Sequence, residues 1–193
     1  MQRAQQVLDY WLGPEAGRDA IAKETSAKWF EKSADTDRYI AEQYGADVET
    51  AGRGEFDAWC TTPRGRLALV ILLDQLTRNI HRDSGAMYRH DDKALALAKE
   101  GIARGEDRLL RASERSFLYM PLMHSEALAD QQQSCALFTQ LAADAPHVDS
   151  RRWAVAHRDI VARFGRFPHR NALLGRTSTA EEIAFLKQEG SSF

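Results

Sequence analysis

Arg64-Gly-Arg-Leu67-Ala-Leu69-Val-Ile-Leu-Leu73-Asp74-Gln75-Leu76-Thr77-Arg78-Asn79-Ile80 is the stretch that decides how this chain folds. Leu67, Leu69, Val70, Ile71, Leu72, Leu73, Leu76 and Ile80 do not alternate; they cover the whole circumference of a helix. A helix that is apolar all round in a soluble protein is central and surrounded by other elements. Its second half carries Asp74, Gln75, Arg78 and Asn79. Asp74 and Arg78 stand four apart, as do Gln75 and Asn79, so the four make one polar stripe. Polar groups on a surrounded helix need partners or water. The same helix therefore predicts both the middle of the core and a place where chemistry can sit.

Working outward, nearly every segment reads with helical period. Upstream, Val7, Leu8, Trp11 and Leu12 mark a first helix ended by Gly13-Pro14, and Trp29-Phe30 reads as an apolar plug in a loop. Tyr39, Ile40, Tyr44 and Val48 share a face of a helix capped by Asp35 or Thr36, which Phe56 and Trp59 resume until Pro63. Downstream, a turn over 81–87 precedes an amphipathic helix over 93–104. Ser113 caps the next helix, and Pro121 either kinks it or starts a new one; another runs over 127–143, and one is capped by Asp149 or Ser150. Thr179-Ala-Glu-Glu182 is a capping box for a last short helix. The expectation is all-α: about nine helices in one domain over residues 1–193, a compact tetratricopeptide-like stack of antiparallel hairpins with the 67–76 helix inside. No exact internal repeat and no tetratricopeptide consensus is present.

Composition narrows the function. With 193 residues, 44% hydrophobic and 28% charged, the chain can bury a core without staples. A net charge of -2 exerts no global pull on nucleic acid or an anionic membrane. Cys60 and Cys135 form no CxxC and read as buried residues of a reducing compartment. The first residues form no leader, and no apolar run approaches the roughly 20 residues of a membrane span, so a cytoplasmic location is expected.

Three segments mix His, Arg or carboxylate with heavy apolar residues: 73–82, 119–131 and 153–171. In the last, Trp153, His157, Ile160 and Phe164 are spaced 4-3-4, which puts His157 on an apolar face, as a core histidine or as a base. Asp159 and Arg163 fit an intrahelical pair. Seven arginines and one acid, Asp159, lie between Arg151 and Arg176. The helix breaks at Gly165 and restarts at Pro168, which exposes backbone N–H groups beside Arg163, Arg166, His169 and Arg170. Such donors with arginine forks suit a phosphate or carboxylate. The plainer account pairs those arginines with Asp74, Glu126 and Asp130 as internal glue. His124, Glu126 and Asp130 are the acid–base candidates: Glu126 and Asp130 are four apart and can share a helix face over which His124 swings. No HExxH or ExxH pair, phosphate loop or GxSxG occurs, so no metal or cofactor is expected. The arginines interleave with Phe164 and Phe167, yet no nucleic-acid module is present.

The runs TPRGRLALVILLDQLTRNIHR, ERSFLYMPLMHSEALADQ and HRDIVARFGRFPHRNALLGRTSTAEEIAFL, with VLDYWLG near the start and KWF at 28–30, resemble the bacterial family catalogued as domain of unknown function 924. The resemblance spans essentially the whole chain. It implies a tetratricopeptide-like helical fold and carries over no activity and no functional residue. Thr77 stands where proline is common in similar chains, which should relax the helix there.

Two functions of different class follow. The first is a cleft for a small anionic ligand, with or without acid–base chemistry. There Arg78, Arg163, Arg166 and Arg170 supply charge, Asn79 and Asn171 orient the ligand beside Asp74 and His157, and His124 or His169 with Glu126 or Asp130 moves a proton. The second is a helical scaffold that grips a peptide, the polar groups serving only as glue. The first requires that positions near 78, 126 and 166 converge on a hollow reached by water. Oligomeric state is not encoded legibly.

Overall fold

A computed structural model of the protein describes residues 2–14 and 23–192. Among the described residues there are nine helical rods and no strand. α1 spans Gln2–Leu12, and its one-sided spacing buries Ala4, Val7, Leu8, Trp11 and Leu12. α2 is Lys23–Phe30, so Trp29 is helical rather than in a loop; the side chain of Phe30 lies outside the described residues. Trp29 packs edge-on to Phe117 and donates its indole N–H to the carbonyl of Trp11.

α3, Ala34–Gly52, starts at least two residues earlier than its sequence pattern implies, because Ser33, and not Asp35 or Thr36, is the cap and accepts from the Thr36 amide. It is not resumed by Phe56 and Trp59. Gly54 takes φ +87°, a turn follows, and Trp59 sits in a separate 3-10 turn, Asp57–Thr61.

α4 runs over residues 63–80. Thr62 caps it by accepting from the Gly65 amide, and Pro63 occupies a first-turn position that needs no N–H. Residues 67–73 are all 0% exposed, so the helix is surrounded, as its sequence demands. α1, α3, α5 (Asp91–Ala103) and α6 (Ala112–His124) pack around it. Arg66 near its start is also buried, charge-paired with Glu100 and Glu106. Its middle, Ile71–Leu76, is wound as a π-helix.

α6 begins before Ser113, with the Glu114 carboxylate accepting from the Arg111 amide. It passes through Pro121 and ends at His124. A linker, 125–127, leads into α7 (Leu128–Asp144), and α8 (Arg151–Phe164) packs back on α7. Ser150 is the α8 cap residue but makes no side-chain cap bond; Asp149 before it accepts from the Arg151 amide. Gly165 closes α8 at φ +69°, a left-handed conformation in which a side chain is strained. A 3-10 turn, Pro168–Arg170, and loop 171–179 then lead to α9, Ala180–Phe185, with the reciprocal Thr179/Glu182 box in place.

Most buried apolar residues form one cluster. A second, small one comprises Ile160, Val161 and Phe167 with Phe164 and Phe185 against them. No helix among the described residues is long and apolar enough to cross a membrane.

Candidate functional site

The π stretch widens α4 by one residue, so the face presented after it no longer continues the face before it. Thr77 completes the wide turn: its amide and its hydroxyl both donate to the carbonyl of Leu72, five residues back. Asp74 lies in this turn at 0% exposure. Its Oδ1 is 2.7 Å from His124 Nδ1, and its Oδ2 accepts from Gln75 Nε2 at 2.5 Å. The Arg78 guanidinium stands 3.7 Å from Oδ1 and donates to the Asp74 carbonyl at 2.7 Å. Burial alone would raise this carboxyl; His124 and Arg78 outweigh it and hold the group below the usual carboxylate range. An ionised carboxylate only accepts, so His124 Nδ1 bears the hydrogen and donates it, which leaves Nε2 as the nitrogen that exchanges a proton. The His124 side chain is 17% exposed at the end of α6.

Arg78 makes a two-pronged pair with Asp91 at 2.9 and 3.1 Å. Arg170 reaches the same carboxylate at 3.4 Å and donates to the His124 carbonyl at 2.9 Å. Its guanidinium lies 4.5 Å from the Tyr88 ring centroid and 4.6 Å from that of Phe167. Burial, and then the neighbouring Arg78, lower the Arg170 pKa from the ordinary arginine value. Segment 168–174 approaches so closely because Gly85 has no side chain: a Cβ there would meet the carbonyl oxygen of Leu173 at 2.5 Å.

His157 donates Nδ1–H to the Trp153 carbonyl at 2.8 Å, one turn back, and its ring lies 6.2 Å from His124 and 5.6 Å from Phe167. Burial, followed by the nearby His124, pushes its pKa down to about 3. His169, 5.5 Å from the Phe167 ring, is pushed down to about 4 by burial and then by Arg170. Both are neutral at pH 7. Asp74, Arg78, His124, His157, His169 and Arg170 thus gather at one place, where α4, α6, α8 and the 168–170 turn meet.

The remaining candidates lie elsewhere. Glu126 and Asp130 do not share a helix face, because α7 starts only at Leu128. Asp130 pairs with Lys99 and accepts from Ser125 Oγ. Glu126 accepts from the Phe167 amide at 2.8 Å and from both terminal nitrogens of Arg176 at 2.6 and 2.9 Å. The donors expected to hold a foreign anion at the helix break hold one of the protein's own carboxylates. Arg166 forks Glu182 at 2.7 and 2.9 Å, and Arg163 pairs with Glu181, not with Asp159, which takes Arg158. Asn171 donates to Ser178 and Glu182. Asn79 donates to Asp37, which also pairs with Arg82, on the α3 side of α4. Arg163, Arg166, Asn79 and Asn171 thus bond to the protein's own groups away from Asp74 and His124, and positions 78 and 126 act on the same Arg170 while 166 turns away. The arginines singled out from the sequence all meet carboxylates, so no water-facing pair of unmatched guanidiniums lines a cleft among them.

Asp91, Tyr88 and Arg176 complete the cluster and escaped the sequence reading. Arg176 was visible as one of the seven arginines; Asp91 and Tyr88 gave no signal beyond the turn they border. Among the described residues, no three His, Cys, Asp or Glu side chains converge to hold a metal ion. A cavity of about 170 Å³ lined by Ala27, Lys28, Glu31, Ser33 and Thr36 shares none of these residues.

The sequence family described as "Bacterial protein of unknown function (DUF924)" matches residues 7–190. A solved structure of a protein of unknown function from Agrobacterium tumefaciens is similar at 37% identity, with 96% of this chain and 97% of that chain covered and a TM-score of 0.82. No curated protein matches.

Proposed function

The chain belongs to the bacterial family DUF924, and we propose that in this member the Asp74–His124 pair is the acid–base centre of a site for a small anionic ligand, a narrower site than the expected three-way convergence, because Arg166 is taken by Glu182 and has no part in it. The observation that carries this reading is the fully buried Asp74, wound into a π turn and hydrogen-bonded at 2.7 Å to a partly exposed His124. A buried carboxylate that fixes one ring nitrogen of a histidine leaves the other ready to accept a proton. π turns are costly and concentrate at functional sites. Arg78 and Arg170 are the cations nearest the pair, and Asp91 holds both in place. His157 and His169, both neutral, complete a low-dielectric wall in which charge on a ligand is felt strongly.

The test is a thermal-stability screen of small carboxylates and phosphates against the wild type, Asp74→Asn and His124→Gln. At least one compound is expected to raise the wild-type melting temperature and to lose most of that effect in both variants. Long-range ¹H–¹⁵N spectra of neutral His124 are expected to place its hydrogen on Nδ1 in the wild type. No stabilising compound, together with a His124 ring indifferent to Asp74→Asn, would remove the proposal.

A peptide scaffold is the second reading. It draws on Trp153 and Val155, 43% and 39% exposed on α8. Trp153→Ala is expected to leave small-molecule stabilisation unchanged; a loss of peptide binding in that variant alone would favour the scaffold.

A further inference from the structure

We propose that the Phe167 amide and Arg176 form a carboxylate seat, which Glu126 fills in the unliganded protein and which a small carboxylate ligand takes over. This deepens the reading above, on which it rests for where the rest of the ligand lies, by naming the anion as a carboxylate.

Three donors converge on one carboxylate here: the Phe167 N–H on Oε1, one Arg176 terminal nitrogen also on Oε1, and the other on Oε2. A planar guanidinium facing a planar carboxylate edge, with a backbone N–H added, is how proteins recognise a carboxylate end-on. Burial acts to raise the Glu126 carboxyl; Arg176, the Phe167 amide and then Arg170 outweigh it and keep the group below its ordinary value, so the seat favours a negative charge.

The present occupant can leave without unfolding a helix. Glu126 stands on the 125–127 linker, outside any helix. The linker is held by its neighbours: Ser125 Oγ donates to Asp130, the Ser125 carbonyl accepts from Gln131, and Arg170 holds the His124 carbonyl. The Glu126 side chain can therefore swing out without unbuilding the turn that carries it.

Acceptors are also short around the seat. Arg170 Nε and Arg176 Nε are both buried and have no hydrogen-bond acceptor. Buried donors without acceptors are uncommon and costly, and two of them lie on the two guanidiniums that act on Glu126. A ligand bearing a carboxylate and a further oxygen brings the acceptors that one glutamate side chain lacks. The seat has one fork and one amide, which match a single planar charge. A phosphate dianion would bring a second negative charge toward Asp91, which already faces Arg170.

The test follows the Phe167 backbone amide resonance and the melting temperature in the wild type, Glu126→Ala and Glu126→Gln. Each is titrated with sodium formate or acetate, with chloride and phosphate at matched ionic strength as controls. In Glu126→Ala, formate is expected to shift the Phe167 resonance saturably and to raise the melting temperature, and adding Arg176→Gln should abolish both effects. In the wild type the same shift should require tenfold more formate or more, because Glu126 competes. Glu126→Gln keeps the size of the side chain and is expected to lie between the two, which gives a reading if Glu126→Ala does not fold. Response equal to that in chloride, or a response in the variants with none in the wild type, overturns the proposal. His124→Gln is expected to leave the formate response intact, so failure of the acid–base reading and failure of the seat are told apart.

Discussion

Two buried histidines set the acid side of this protein's stability. His157 and His169 hold folded-state pKa values of about 3 and about 4, against about 6.5 for an unfolded chain. As pH falls below about 6.5 the unfolded chain takes up protons that the folded protein refuses, so stability is complete above that pH and declines toward the folded values. Each group contributes a slope of at most about 1.4 kcal/mol per pH unit. Asp74, Glu126 and Glu182, all depressed, act in the same direction only below about 4.5. Urea denaturation between pH 6.5 and 5 is therefore expected to show a steep loss in the wild type and a shallower one in His157→Gln; identical slopes would refute the assignment. Asp74→Ala should cost about 3–5 kcal/mol, since it strands His124 and Arg78 beside an emptied buried position, and equilibrium unfolding at pH 7 measures it. Which residues carry polar chemistry could be read from the chain, because a histidine or aspartate on an apolar helix face is conspicuous. Their partners could not: Asp91 falls before the helix read over 93–104, and only the structure makes it the first residue of that helix.

Among the elements, α4 governs the site. Its sequence predicts a surrounded helix, since no face of it is polar enough to meet water. The wide turn over Ile71–Leu76 is not legible in that pattern, because a π turn costs one register step and no residue type. Thr77 was expected to relax the helix; instead it is fully buried and fastens the wide turn through its hydroxyl. Thr77→Val keeps the shape and removes that bond, so a loss of about 1 kcal/mol is expected in urea unfolding. No change would mean that the wide turn is held by packing alone. The α6–α7 junction carries a similar lesson. Four-residue spacing implied that Glu126 and Asp130 share a face, but the helix begins two residues after Glu126, and the linker sends the two carboxylates to different cations.

Across the whole molecule, the chain after Gly165 is held differently from the rest. Its apolar cluster is small, and its contacts are ionic: Arg166 with Glu182, Arg163 with Glu181, and Arg176 with Glu126. Segments with few buried apolar contacts open before the global transition. Amide exchange is expected to be faster over 177–186 than over 67–76, and Arg166→Gln should speed the former by about tenfold or more while leaving the latter unchanged. Uniform acceleration would indicate that the clasp belongs to the main cooperative unit. The positive stretch from Arg151 to Arg176 looked like a foreign-anion site because the acids that neutralise it, Glu181 and Glu182, follow just beyond it, and Glu126 lies far back in the chain. By itself the sequence determined that the protein is helical, that residues 67–76 lie at its centre, and where the costly polar groups fall. Those follow from periodicity and side-chain type, which act over a turn or two of helix. Only the tertiary structure decided that His124 meets Asp74, that Arg78 and Arg170 share Asp91, and that the Phe167 amide is taken by Glu126. Such pairings join positions tens of residues apart, and packing, not local spacing, brings them within hydrogen-bond reach.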